Sequence, residues 1–151
     1  MTTELKLLRA LAALIVASTI VTAQSSAPTT KDASVNAELA KAPAKAVARH
    51  NPLESDPDAA AAGGKLFAQH CAECHGDMAE GGKKGPSLRA DEVQDATPGA
   101  LFWLLTNGVV RRGMPVWSKL PEPQRWQLVS YLKSLRITPH LTPENGKRAH
   151  P

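Results

Sequence analysis

The 151-residue chain has two cysteines, six aromatic residues and no apolar run of the ~20 residues that a membrane-spanning helix needs. Two cysteines allow one disulfide at most, which excludes a small scaffold held together by several bridges. No alternating apolar and polar run of strand length is present, so a βαβ unit, and with it a thioredoxin-type redox pair, finds no support. Lysine and arginine exceed aspartate and glutamate by 18 to 14, a net charge of +4. That small surplus, with no basic run interleaved with aromatics, does not point to a nucleic-acid surface.

What is present is concentrated in five residues, Cys71-Ala72-Glu73-Cys74-His75. Two thiols three positions apart, followed at once by an imidazole, form the attachment site of a c-type haem. A short helical turn sets two sulfurs at the spacing of the two haem vinyl groups and leaves His75 pointing at the iron. A structural zinc site would need two further ligands at matching spacing, and no second Cys or His pair stands where one is wanted. A simple disulfide between the two cysteines is the remaining plain alternative.

The N-terminus reads as a secretory signal peptide over residues 1–23. Lys6 and Arg9 give a positive start, Ala10 to Val21 an apolar core, and Val21-Thr22-Ala23 a small-residue cleavage site. An uncleaved membrane anchor is the alternative, and no cysteine follows the apolar core to carry a lipid. Export agrees with the haem motif, because bacterial c-type attachment takes place outside the cytoplasmic membrane. Residues 24–57 are rich in Ala, Ser, Thr, Lys and Pro and contain no aromatic residue. Such a composition buries too little apolar surface to offset its ordering entropy, which predicts a flexible tether with a solvated His50. Residues 138–151 have three prolines and no periodic apolar face and read as a loose tail.

Residues 58–137 remain as one compact domain. At about 80 residues its own apolar core is marginal, and a buried macrocycle would supply what is missing. A first helix is expected from about Ser55 or Asp56, capped by Ser55 with Asp58, to Cys71, with Gly63, Phe67 and Cys71 on one stripe. Glycine costs a helix about 1 kcal/mol relative to alanine, so Gly63 marks either a close helix crossing or a break. A glycine-rich loop from Gly76 to Leu88 follows. Thr97-Pro98 caps a helix carrying Leu101, Leu104 and Leu105, and Asn107-Gly108 ends it. After a loop over Val109 to Leu120, a last helix runs from about Pro121 to Leu135 with Leu128, Tyr131, Leu132 and Leu135 on one face. The fold class is all-α, three to four helices with long loops around one haem.

A second axial ligand has few candidates. Met78 is three residues from His75, a reach of roughly 10 Å, too short to round the macrocycle and return to the iron. Met114 lies in a loop between helices, flanked by Gly113 and Pro115, which allow close approach and stiffen the loop. His70 is tied to the attachment helix, and His140 and His150 fall in the tail. The plain alternative for Met114 is a filler of the core.

With these residues in place the chain resembles the class I monohaem c-type cytochromes, over about half its length. Gly63, Phe67 and Cys71 to His75 are similar to that family's first helix and attachment site. Gly85-Pro86 is similar to the loop whose proline carbonyl accepts a hydrogen bond from the proximal imidazole. Met114 corresponds to the distal ligand, and Leu128 with Tyr131-Leu132 to a last helix that crosses the first at Gly63. The resemblance implies one covalent haem c on Cys71 and Cys74, with iron held by His75 and Met114 and Pro86 steadying the histidine. It implies an exported, periplasmic electron carrier, not an enzyme, with a dehydrogenase, an oxidase or another cytochrome as redox partner. Trp103, Trp117, Arg89, Arg111 and Arg112 are candidates to bond the haem propionates. The rival readings are a fixed haem subunit of a larger dehydrogenase or oxidase, and a haem peroxidase or ligand sensor.

Overall fold

The computed structural model describes residues 30–136, which form seven α-helices and a 3-10 turn without a β-strand. In chain order these are α1 (Thr30–Leu39), α2 (Ala44–Val47), α3 (Ala59–His70), α4 (Ala72–His75), α5 (Asp91–Asp95), α6 (Pro98–Asn107), the 3-10 turn Val110–Arg112, and α7 (Glu122–Ser134). The expected signal peptide, residues 24–29 and the tail with His140 and His150 lie outside the described residues.

The longer helices begin and end for local reasons. At α6 the Thr97 hydroxyl accepts from the Ala100 N–H at 3.2 Å and Pro98 occupies the first turn, as the sequence implies. At α3 the expected Ser55–Asp58 cap does not form. The Asp56 carboxylate instead accepts from the Asp58 N–H at 2.9 Å, a turn that delays the helix to Ala59. α5 lies in a stretch with no helical period in its apolar residues.

α3 and α7 make the most extensive contact of the fold, and Gly63 is where they meet. A Cβ on Gly63 would stand 2.0 Å from the Gln127 carbonyl oxygen and 2.9 Å from the Tyr131 Cβ. The glycine is therefore a crossing residue and not a helix break. One turn on, the Phe67 and Tyr131 rings lie 5.0 Å apart. This predicts an inverted sign for Gly63→Ala. In an open helix the change stabilises by about 1 kcal/mol. Here backbone must move to admit the methyl, and a net loss of about 1–3 kcal/mol in chemical denaturation of the holoprotein is expected. A gain would mean that the helices do not cross at this point.

Residues 30–57 correct the expected tether. Rather than hanging free, they dock on the domain. A Cβ on Gly99 at the start of α6 would fall 2.0 Å from the Ala46 carbonyl oxygen, so α2 lies against α6 backbone to backbone. The Thr97 hydroxyl donates to the Val47 carbonyl at 3.0 Å. The Arg49 guanidinium sits 4.6 Å from the Phe102 ring centroid and 5.1 Å from that of Trp126. The buried Asn51 amide donates to Ser130 Oγ at 2.8 Å. Composition predicts order only where large apolar side chains are available to be buried. Here it comes from small-residue contact, cation–π attraction and side-chain hydrogen bonds, none of which shows in hydropathy. His50 is exposed, as expected.

Candidate functional site

α3 ends by carrying the chain directly into the attachment pentapeptide. The Cys71 N–H still bonds to the Phe67 carbonyl at 2.8 Å, and the Cys74 and His75 N–H groups both reach back to the Cys71 carbonyl at 3.0 Å. The five residues thus form one tight helical turn, which places both sulfurs and the imidazole on the wall of one cleft. The sulfurs are not joined. Burial, and then the neighbouring Cys74, push the Cys71 thiol up to about 11. A redox-active dithiol needs a lowered thiol pKa, so the environment opposes that reading. Among the described residues no group of three or more His, Cys, Asp or Glu side chains could hold a metal ion.

The loop after the pentapeptide folds back onto His75. The Gly81 N–H donates to the His75 carbonyl at 2.7 Å, and the His75 Nδ1 lies 2.9 Å from the Pro86 carbonyl. A carbonyl only accepts, so Nδ1 carries the proton and Nε2 keeps its lone pair. Gly85 makes this approach possible. A Cβ there would meet the Cys74 carbonyl oxygen at 2.9 Å and His75 Nδ1 at 3.0 Å.

Met114 lines the same cleft from the loop after α6. Its N–H and carbonyl pair with Val109 at 3.2 and 3.0 Å, closing a small loop over the 3-10 turn, and the Trp117 N–H anchors to the Leu105 carbonyl at 3.1 Å. Met78 is 62% exposed and outside the cleft, in line with the reach argument. His70 lies at the cleft rim, exposed, with its ring 5.3 Å from that of Trp117. Of the candidates for the propionates, Arg112 and Trp117 line the cleft, whereas Trp103, Arg89 and Arg111 do not. Arg89 donates its Nε to the Met78 carbonyl at 2.7 Å.

The rest of the wall is mainly aliphatic: Leu88, Val93, Leu101, Leu104, Leu105, Leu128 and Leu132. The cleft holds about 1130 Å³ of empty space, counted to its open mouth. An apolar slot with two thiols, an imidazole of fixed tautomer and a thioether on its walls fits a haem by the chemistry of its lining. Sequence reasoning missed the contribution of α1, which brings Val35, Glu38 and Leu39 to the same cleft.

Comparison with known proteins agrees with this geometry. Residues 58–132 match the family model for cytochrome c oxidase, cbb3-type, subunit III. The chain is 33% identical over 106 residues to the cbb3-type cytochrome c oxidase subunit CcoP of Rubrivivax gelatinosus, covering 69% of this chain and 33% of the relative. It spans about a third of that relative's length. Cytochrome cL from the marine methylotroph Methylophaga aminisulfidivorans MPT is similar in structure, with a TM-score of 0.49 and 29% identity over 56% of this chain and 58% of that one. The attachment turn and the lining of the cleft agree with the family match and with the CcoP relative, and residues 58–132 are a c-type cytochrome domain.

Proposed function

We propose that the domain passes one electron at a time between redox partner proteins outside the cytoplasmic membrane, with Cys71 and Cys74 holding the haem and His75 and Met114 as axial ligands. When bound, the haem supplies a one-electron couple between ferrous and ferric iron. His75 offers Nε2 because its Nδ1–H is committed to the Pro86 carbonyl, which also fixes the ring plane and strengthens the ligand. The Met114 thioether, a soft donor, favours the ferrous state and raises the potential. The aliphatic walls exclude water and act in the same direction. The observation that carries the reading is that two thiols, an imidazole of set tautomer and a loop methionine all line one apolar cleft.

A redox titration of the holoprotein tests it. A single reversible wave with a one-electron slope, and no turnover of hydrogen peroxide, is expected. Peroxide consumption with an open iron site would favour the peroxidase or sensor. The placement outside the membrane rests on the basic and apolar N-terminal segment. Among the described residues no helix is long and apolar enough to cross a bilayer.

The likeness to an oxidase subunit favours a second reading, in which the domain is a fixed electron-transfer subunit. Affinity capture of the tagged holoprotein from gently solubilised cells separates the two. Stoichiometric co-purification of an oxidase or dehydrogenase supports the subunit, and recovery of the tagged chain alone supports the shuttle.

A further inference from the structure

α1 lies outside residues 58–132, the part matched to the cytochrome family, yet it contributes to the haem cleft. Val35, Glu38 and Leu39 share one helical face by their spacing. Val35 and Leu39 pack on the hydrophobic core, and Glu38 is only 15% exposed in its side chain. The Glu38 carboxylate accepts from Lys41 Nζ at 2.6 Å and pairs with Arg112 Nε at 3.6 Å. The Lys41 hydrogen bond, aided by the charge of Arg112, holds Glu38 below the usual carboxylate range, so it is ionised at neutral pH. Arg112 stands two residues before Met114, inside the small loop closed by Val109 and Met114. The C-terminal end of α1 leads through residues 40–43 into α2, which is fixed against α6.

We propose that α1 is a clamp on the methionine side of the haem cleft: Val35 and Leu39 cover the cleft, and Glu38, a positioning residue, holds the Met114 loop through Arg112. The proposal rests on the reading of Met114 as an axial ligand. The clamp keeps the thioether on the iron against competing ligands. Its two parts differ in strength. The apolar cover is the larger, and the partly exposed ion pair the smaller.

Imidazole titration of the ferric holoprotein measures the clamp, because imidazole binds iron only when Met114 leaves. An ion pair at 3.6 Å whose arginine is 56% exposed is worth little, so Glu38→Gln is expected to raise imidazole affinity by about two- to fivefold. Removing apolar cover costs more, and Val35→Ser with Leu39→Ser is expected to raise it by at least about tenfold. Lys41→Ala, which leaves the Arg112 pair intact, is the control and should stay within about twofold on the same argument. Melting temperature is followed in parallel: Val35→Ser with Leu39→Ser also removes core contact and lowers it, but a clamp raises imidazole affinity beyond what a control variant of equal melting temperature shows, and Glu38→Gln raises it with little change in melting temperature. Imidazole affinities equal to the parent's in both Glu38→Gln and the Val35, Leu39 variant would overturn the clamp. So would affinities that rise only in step with lost stability. The parent's own ferric spectrum separates the two levels of the argument. A methionine-to-iron band in the parent with unresponsive variants overturns the clamp alone, and a parent without that band overturns the ligand reading and the clamp with it.

Discussion

A Cys71→Ser, Cys74→Ser double variant is expected to give an unfolded, rapidly degraded chain, not a haem-free copy of the domain. Phe67, Leu101, Leu105, Leu128 and Leu132 belong both to the hydrophobic core and to the wall of the haem cleft. Without the macrocycle the cleft must flood or collapse. Flooding sets those side chains against water, and the burial of each is worth ~1.5–3 kcal/mol. A domain of this size is stable by only ~5–15 kcal/mol in total, so two or three such losses remove most of it. Collapse is opposed by the α3–α7 crossing, where backbone already touches backbone at Gly63. Circular dichroism on the double variant checks the outcome. A cooperative melt with native helix content would show that the polypeptide folds without its prosthetic group.

The second large effect belongs to Met114. Met114→Ala is expected to leave the haem attached, because Cys71, Cys74 and His75 are untouched. The ferric iron should become high-spin, with water or nothing on the vacated face. The potential should fall by a substantial part of the ~0.8 V range over which axial ligands set it. The same variant should bind imidazole without having to displace a thioether, and so more tightly than any clamp variant. An unchanged spectrum would remove Met114 from the iron and turn attention to His70, which also stands at the cleft.

How legible the protein was in its sequence depends on how local each constraint is. The pentapeptide is readable because a fixed covalent geometry dictates five consecutive residues. Thr97-Pro98 is readable because a cap is made within four residues. The Gly63 crossing needed more than spacing. Its stripe with Phe67 allowed either a crossing or a break, and the Gln127 carbonyl 2.0 Å from the missing Cβ decides between them. Where partners are remote and polar, the pattern was silent. Arg49 over Phe102 and Trp126, and Asn51 on Ser130, join residues fifty or more positions apart. Neither residue looks like a core residue by composition, which is why 30–57 reads as a tether. The face assigned to α7 was too narrow for a related reason. Trp126 and Val129, at 1% and 0% exposure, are as buried as Leu128, because α3 and α6 both pack on that helix. α5 was not legible at all. Asp-Glu-Val-Gln-Asp has no apolar period, and its Gln94 is buried only because its amide donates to the Leu88 and Leu132 carbonyls at 2.6 and 3.1 Å.

The measurement that bears most directly on the account is the absorption spectrum of the purified ferric holoprotein, taken beside that of Met114→Ala. A low-spin ferric spectrum is expected, with a methionine-to-iron charge-transfer band that is present in the parent and lost in the variant. A high-spin parent, or a band that survives the substitution, would contradict it.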